Sequence, residues 1–310
     1  MSNNFVTIVM YHYIRPLKET KYPDLKGLDL YKFKRQLDYI NKNFNVISAS
    51  DLVASKNNKK ILPINPILLS FDDGYIDHYV HAMPELLKRG MTGIFFPPTE
   101  AIKEKKILDV NKIHFILAAS KNKDYIKELI NTHIGDNQSE LKTITEYEEL
   151  YLKQNRYDCK TVNYIKRMLQ VGLPQKLRAI VVDKLFDKIV TKNQKAFSEE
   201  LYLSTSNLKE MLKNGMEIGS HGHSHPWLSS LSKENQFEDI KASISFLENE
   251  GISMKDFLFC YPYGAYNHDT IEVLKSLGCL AAFTVQPKKF ILKDTNLLEL
   301  PRLDTNDLPN

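Results

Sequence analysis

The chain has 310 residues, of which 43% are hydrophobic and 26% are charged, a composition typical of a soluble globular protein. The formal net charge is only +4, and the basic residues are scattered beside Asp and Glu, so no nucleic-acid partner is expected. The three cysteines, Cys159, Cys260 and Cys279, are far apart and odd in number, which fits reduced thiols in a cytoplasmic protein better than a disulfide framework.

The sequence also bears on membrane insertion and export. No apolar stretch is long enough to span a bilayer, so no integral membrane segment is expected. Residues 1–4 do not begin a basic region followed by an apolar one, as a signal peptide would. The sequence therefore predicts a cytoplasmic protein.

The first element in the chain is a predicted buried strand. Phe5 to Met10 is an apolar, β-branched run that ends in Tyr11-His12-Tyr13. Leu30, Phe33, Leu37 and Ile40 then recur at helical spacing and predict an amphipathic helix. His12 is therefore expected at the carboxyl end of a strand, although a packed or surface histidine is an alternative.

A second strongly apolar predicted strand ends in two adjacent carboxylates. Ile67 to Phe71 is apolar, and Asp72-Asp73-Gly74 follows it. Neighbouring residues at a strand end point in different directions, so one aspartate can bind a metal while the other acts as a base. A simple turn is the alternative, because Asp-Asp-Gly is also common in turns.

Strands and helices alternate through most of the rest of the chain. Thr92–Phe96, Met216–Gly219, Phe257–Tyr261, Leu280–Val285 and Leu297–Leu303 are predicted strands. Between them, residues 99–204 have few strand signals and predict a mostly helical insertion that caps the site, forms a homo-oligomer surface or only decorates the fold. The barrel would then consist of residues 1–98 and 205–310, with about seven or eight strands.

Three histidines lie within one short segment after a predicted strand. His221 and His225 are four positions apart, a spacing that on a helical turn places both rings on one face, while His223 points elsewhere. Two histidines and one strand-end aspartate make a metal site with open positions for water and substrate. A histidine-rich polar loop is the alternative.

These motifs resemble those of a known family. Ser70-Phe71-Asp72-Asp73-Gly74, His221 to Pro226, and Tyr261-Pro262-Tyr263-Gly264 are similar to the three motifs of the polysaccharide deacetylases, the NodB-homology group of carbohydrate esterase family 4. The resemblance covers roughly residues 5–98 and 204–303. It implies a distorted (β/α) barrel, a divalent metal, most often Zn²⁺, and hydrolysis of an N-acetyl group on a sugar.

The resemblance also implies roles for individual residues. Asp72 is the expected general base, and Asp73, His221 and His225 are the expected metal ligands. Metal-activated water then attacks the amide carbonyl while Asp72 takes its proton. The backbone N–H of Tyr263 is the expected second partner of the oxyanion.

Two departures from the family pattern require other residues. The tail after Phe290 contains no histidine, but Met10-Tyr11-His12 resembles the N-terminal Met-x-Tyr-His of circularly permuted members, so His12 is the expected general acid. Cys260 stands where many members have an arginine that orients the aspartate. Arg302, beside the first strand in a closed barrel, is the expected replacement, with a surface salt bridge as the alternative.

The predicted function is a metal-dependent deacetylase of an N-acetylated sugar in a glycan or glycan precursor. An amidase acting on a small non-sugar substrate is a second possibility. A carbohydrate-binding barrel that has lost catalysis is a third, and the intact set of Asp72, Asp73, His221 and His225 argues against it.

Overall fold

A computed structural model describes residues 5–135, 141–155 and 158–309. Residues 1–4, on which the prediction of no signal peptide depends, lie outside the described residues. The chain divides into two compact units. The barrel unit comprises Met1–Pro16, Gly27–Lys106 and Ser198–Asn310, and the helical unit comprises Leu17–Lys26 and Ile107–Phe197. In the part of the chain that is described, no helix has the length and apolar character needed to cross a membrane.

All the described strands belong to the barrel unit, and its helices lie between them in the chain. The strands are β1 (Phe5–Tyr11), β2 (Ile14–Arg15), β3 (Leu28–Asp29), β4 (Asn45–Val46), β5 (Pro66–Asp72), β6 (Ile94–Phe96), β7 (Glu217–Ile218), β8 (Leu258–Cys260), β9 (Ala281–Phe283), β10 (Phe290–Ile291) and β11 (Leu303–Asp304). The helices are Leu30–Asn43, Ala49–Lys56, Met83–Lys88, Thr99–Glu104, Thr205–Lys213, Lys233–Asn249 and His268–Ser276.

The strand pairings close into a ring. β1 pairs in parallel with β5, β5 with β6, and β6 with β7. A bridge between Ser220 and Phe259 joins β7 to β8, and β8 pairs with β9. A bridge from Phe283 to Leu300 continues to β11, which pairs in parallel with β1. The fold is therefore the distorted (β/α) barrel that the sequence predicts.

The side chains of the central strand β5 alternate between the two faces of the barrel wall. All seven of its residues are buried, and side chains alternate between faces along a strand. Leu68 packs in one cluster with Ile8 and Phe96, and Leu69 and Phe71 pack in another that includes helix residues of Leu30–Asn43. By the same alternation Asp72 shares the face of Leu68, so its carboxylate is directed into the barrel.

One predicted element differs in the structure, and one helix begins irregularly. The predicted strand Leu297–Leu303 is wrong at its start, because Leu297–Glu299 is a 3₁₀ turn in which the side chain of Asn296 accepts from the N–H of Leu298. The helix after the aspartates begins with a π-helical turn, His78–Ala82. Pro84 has no N–H that could donate to a carbonyl of the preceding helical turn. This accounts for the irregular hydrogen-bond pattern at the start of the helix.

The helical unit has no strand among its described residues. Its helices are Asp109–Ala119, Lys123–Gly135, Ile144–Tyr151, Lys160–Arg167 and Gln175–Ile189, and a further helix, Gln194–Leu201, begins in it and ends in the barrel unit. Phe197 packs edge-on against Phe115 and Phe186, with ring centroids 4.8 and 5.3 Å apart. The mostly helical insertion of residues 99–204, and its role as a cap, an oligomer surface or a decoration of the fold, stay predictions.

Candidate metal and catalytic site

The turn after β5 presents Asp72 and Asp73 in different directions. Asp73 has a φ of 72° and Gly74 a φ of 62°, so two successive residues adopt the left-handed conformation. A Cβ on Gly74 would lie 2.8 Å from the Cβ of Pro97, which leaves no room for a side chain. Gly74 is required both by its backbone conformation and by this close approach.

Asp73, His221 and His225 meet at the mouth of the barrel. Oδ1 of Asp73 lies 3.4 Å from Nε2 of His221 and 3.3 Å from Nε2 of His225. One candidate ligand atom from each of the three buried residues lies within 4.8 Å of the others. Burial raises the pKa of Asp73, but the hydrogen bonds from the two histidines hold it well below its usual value. The three residues predicted as metal ligands are thus together in space.

The histidine segment is an irregular loop and not the helical turn that the spacing suggests. His225 has a φ of 56°, which ends any regular helical path from His221. Asp239 of the helix Lys233–Asn249 holds the loop, because its carboxylate accepts from the backbone N–H groups of His223 and Ser224 at 2.8 and 2.9 Å. The two rings still converge, with centroids 4.7 Å apart.

His223 points away from this cluster, as the sequence predicts. Its Nδ1 lies 2.8 Å from Oγ1 of Thr99, at the start of the helix Thr99–Glu104. His223 therefore helps to position the loop and offers no ligand atom to the three-residue group.

Two of the three metal-binding candidates, Asp73 and His221, have supporting contacts of the kind that a cation site needs. Nδ1 of His221 lies 2.7 Å from the carbonyl oxygen of Cys260, which as an acceptor fixes the proton on Nδ1 and leaves the lone pair on Nε2. Tyr75 donates to Oδ2 of Asp73 at 2.6 Å, so Oδ1 is the oxygen directed at the histidines. Two imidazoles and one carboxylate, buried and oriented in this way, fit a divalent cation.

Asp72 is held by Arg302 on the inner side of the barrel. Nη1 of Arg302 donates to Oδ1 of Asp72 at 2.8 Å, and the arginine side chain is fully buried. Burial raises the pKa of Asp72, whereas the charges of Arg302 and then His12 lower it, with a net value of about 2. Asp72 is therefore an ionised carboxylate across the physiological range.

Arg302 makes three further contacts that fix its guanidinium. Nε donates to the carbonyl of Thr284 at 2.8 Å, and Nη1 also donates to Oγ of Ser70 at 3.1 Å. Nη2 lies 3.2 Å from Sγ of Cys260, the position where the family pattern has its arginine. Arg302 directly precedes β11, and its guanidinium reaches Asp72 from there. Cys260 is small and leaves space for the guanidinium beside it.

His12 approaches Asp72 from the end of β1. Its Nε2 lies 3.8 Å from Oδ2 of Asp72, and its side chain is 43% exposed. Its backbone carbonyl accepts from Nε2 of the buried His78 at 3.0 Å. His12 thus combines a position beside Asp72 with access to solvent, which Asp72 and the candidate ligands lack because they are buried.

Tyr263 lies in the loop after β8, close to His225. It has a φ of 57°, and its ring contacts the ring of His225 edge-on with centroids 4.6 Å apart. The indole of Trp227 stacks on the Tyr263 ring at 4.4 Å and 10°. The predicted oxyanion partner, the backbone N–H of Tyr263, thus belongs to a loop anchored beside the candidate ligands.

Sequence reasoning missed several supporting residues. Asp77 accepts from the N–H of Ile14 at 3.0 Å and from Arg15 through both carboxylate oxygens, which anchors the segment after His12. Tyr75 and Asp239 were likewise not anticipated. Only the closeness of Tyr75 and Asp77 to the aspartate pair in sequence could have drawn attention to them. No sequence pattern around Asp239 indicates its contact with the histidine loop.

The chain is similar to known proteins in sequence and in fold. The family model described as polysaccharide deacetylase matches residues 187–282. The chain is 31% identical over 116 residues to a poly-beta-1,6-N-acetyl-D-glucosamine N-deacetylase of Staphylococcus aureus strain MSSA476, which is 34% of this chain and 39% of that protein. The match therefore spans about two fifths of that curated relative's length.

Solved structures show the same fold over almost the whole chain. The Streptococcus pyogenes deacetylase PplD in complex with acetate has a TM-score of 0.60 at 16% identity, with 97% of this chain and 92% of that chain covered. The BpsB deacetylase domain from Bordetella bronchiseptica has a TM-score of 0.58 at 16% identity, with 98% and 96% covered. The resemblance drawn from the three motifs is confirmed: the chain is related to the polysaccharide deacetylases and has the fold of the NodB-type deacetylases.

Proposed function

We propose that this chain is a metal-dependent N-deacetylase that removes an acetyl group from an amino-sugar unit of a glycan or glycan precursor. The observation that carries the proposal is the pairing of two neighbouring aspartates with different partners. Asp73 converges with two histidines, and Asp72 lies against a buried arginine. A ligand set next to an ionised base is an arrangement suited to metal-assisted hydrolysis of an amide.

The cation site is assigned to Asp73, His221 and His225. A divalent cation bound there would polarise the amide carbonyl and make a water molecule more acidic. Two nitrogen ligands and one carboxylate suit Zn²⁺, which leads us to propose zinc over the harder cations. The proposal rests on the ligand types and their separation.

Asp72 acts as the general base. Its carboxylate is ionised because Arg302 lowers its pKa, and the hydrogen bond from Arg302 at Oδ1 leaves Oδ2 available to accept a proton from water. Arg302 is the positioning residue, since its contacts to Thr284 and Ser70 keep the guanidinium in place.

The remaining steps use Tyr263 and His12. The backbone N–H of Tyr263 donates to the oxygen of the amide as negative charge develops on it. His12, partly exposed and 3.8 Å from Asp72, gives a proton to the departing amine of the sugar. Acetate and a free amino sugar are the products.

The substrate class is proposed from the relatives. The Staphylococcus aureus relative is named for a poly-N-acetyl-glucosamine substrate, and an N-acetylated amino sugar is therefore the first substrate to test. The cytoplasmic location and the homo-oligomer stay predictions from the sequence.

Metal content and acetate release together test the proposal. Purified protein is expected to hold about one zinc per chain by elemental analysis, and to release acetate from N-acetyl-glucosamine oligomers. Asp73→Asn, His221→Ala and His225→Ala should each lower zinc content, because each removes one of the three ligands. His223→Ala is the matched control and should keep the metal, since His223 bonds to Thr99 instead.

The same assays separate the other candidate functions. An amidase for small non-sugar substrates would bind zinc yet release no acetate from the oligomers. A carbohydrate-binding barrel without catalysis would bind the oligomers and turn over neither class of substrate. Full zinc content in all three ligand variants would refute the site assignment itself.

A further inference from the structure

Three aromatic rings form a continuous series that ends at a candidate metal ligand. Trp227 stacks on Tyr263 with centroids 4.4 Å apart and an angle of 10° between the rings. The ring of Tyr263 in turn contacts His225 edge-on at 4.6 Å and 65°. Nε2 of His225 lies 3.3 Å from Oδ1 of Asp73.

The two candidate histidine ligands are held in different ways. Nδ1 of His221 bonds to the carbonyl of Cys260, the usual support of a histidine that binds a metal. Nδ1 of His225 is buried and has no hydrogen-bond partner among the residues that the structure describes. His225 therefore lacks the contact that fixes the orientation of its counterpart.

The ring of Tyr263 contacts the ring of His225 and can supply the restraint that His225 lacks. His225 and Tyr263 both have left-handed backbones, with φ values of 56° and 57°. His225 lies in an irregular loop, and Tyr263 is the left-handed residue of the short 3₁₀ turn Pro262–Gly264. Trp227 is anchored in turn by the next residue, Leu228, which is fully buried in the core. Stacked and edge-on ring contacts favour particular geometries and thus restrict the rotation of a side chain.

We propose that the stacked pair of Trp227 and Tyr263 positions His225 and so sets the affinity of the site for a divalent cation. The pair takes the place of the hydrogen bond that Nδ1 of His225 lacks. Both are positioning residues through their rings, separately from the backbone N–H of Tyr263. This inference rests on the proposed function, because it assumes that the Asp73 cluster binds a cation.

The composition of the chain supplies a direct probe of this series. Trp227 is the only tryptophan in the sequence, so the indole emission of the protein comes from this one position. Zinc that orders His225 changes the surroundings of Tyr263 and hence of the stacked indole. Titration of the metal-free protein with zinc should therefore change the emission and saturate at one equivalent.

The decisive measurement is the zinc dissociation constant, obtained by competition with a chromophoric chelator. Trp227→Ala and Tyr263→Leu should each weaken zinc binding by about tenfold or more, the effect usual for residues that support a metal ligand. Trp227→Phe and Tyr263→Phe keep a ring at each position and should bind zinc nearly as the unaltered protein does. Circular dichroism of the metal-free variants checks that each is folded.

Tyr266→Ala is the matched control. Tyr266 also stacks on a tyrosine, Tyr261, at 4.4 Å and 19°. Its hydroxyl donates to Glu299, which is not a candidate ligand. The loss of this ring should leave the zinc dissociation constant unchanged. An equal loss of affinity in Tyr266→Ala would show a general effect of loop stability and overturn the inference.

Three other outcomes would contradict it and are distinguishable. If Trp227→Ala and Tyr263→Leu fold and bind zinc as tightly as the unaltered chain, the positioning role is wrong while the proposed function stands. If the unaltered, folded chain binds no zinc, the cation site and this inference fail together. If zinc still causes a saturable change in Trp227 emission in Tyr263→Leu, the emission change does not depend on the Tyr263 ring, and this would also contradict the inference.

Discussion

Replacing Arg302 with methionine tests how the barrel keeps Asp72, the proposed general base, ionised. Methionine is unbranched and apolar, so it can occupy the buried space while removing the charge and every donor of the guanidinium. The side chain is fully buried, so water cannot take over these contacts. Oδ1 of Asp72, the carbonyl of Thr284 and Oγ of Ser70 would each lose a hydrogen bond. We expect lower stability, much lower turnover and nearly full metal content.

The magnitude follows from the environment of Asp72. Its pKa is about 2 against the ordinary 3.8, and each pKa unit corresponds to about 1.4 kcal/mol, which gives about 2.5 kcal/mol of stability from the ionised form. Because the folded-state pKa is the lower one, this contribution is present above about pH 4 and disappears as the pH falls through about 2. Removing one partner of a buried ion pair costs about 3–5 kcal/mol in other proteins, so an effect of a few kcal/mol at neutral pH is expected.

The same substitution should also shift the pH dependence of catalysis in a defined direction. Burial alone raises the pKa of Asp72, and the neighbouring charges, chiefly that of Arg302, together with the hydrogen bond from Arg302, bring it down. In Arg302→Met the carboxylate should therefore take up its proton at higher pH. The acidic limb of kcat/KM for acetate release should move to higher pH, which a purely structural defect would not cause.

Urea unfolding, zinc analysis and a pH–rate profile measure these three effects. Arg89→Met is the matched control, because Arg89 pairs with Asp38 and Glu85 near the surface. Asp38 is exposed, whereas Arg89 and Glu85 are partly buried, so the control covers partly buried contacts that lie away from Asp72. Exposed ion pairs contribute about 0.2–1 kcal/mol, and the loss of Arg89 should leave the pH profile unchanged. If Arg302→Met keeps both its turnover and the position of its acidic limb, the reasoning about Asp72 is refuted.

Further expected outcomes concern the residues around the same carboxylate. Asp72→Asn should retain zinc but lose activity by a factor on the order of 10²–10⁴, measured as acetate release, because it removes the base; near-normal turnover would show that Asp72 is structural. His12→Ala should keep zinc but slow amine departure and alter the basic limb of the pH–rate profile; an unchanged profile would place the acid elsewhere. Asp77→Ala should destabilise the protein by about 1–3 kcal/mol in urea unfolding and lower turnover, because Arg15 and the N–H of Ile14 lose their acceptor. Unchanged stability would mean that the segment after His12 is held by other contacts.

The sequence by itself determined the local parts of this protein. An apolar run followed by Asp72-Asp73-Gly74 is recognisable as a strand and its exit turn, because burial and glycine chemistry act over a few residues. The spacing of His221 and His225 after a strand was enough to nominate two ligands. The two rings do lie together although the helical geometry was wrong, since a left-handed His225 brings them together by another path.

Contacts between distant segments were decided by the tertiary structure. Arg302 and Asp72 are 230 positions apart, and they meet because the ring of pairings returns from β11 to β1. The sequence offered this contact only as a consequence of barrel closure, with a surface salt bridge as the alternative. No local pattern distinguishes a buried arginine from an exposed one, since both depend on what the folded chain places around the side chain.

The same reason explains the residues that sequence reasoning did not find. Asp239 lies on a helix that follows the histidine loop, and its role depends on how that helix packs against the loop. The stack of Trp227 on Tyr263 joins the loops after two neighbouring barrel strands, β7 and β8. Pattern and spacing encode secondary structure and its ends, whereas the supports of a site come from segments that only the closed barrel brings together.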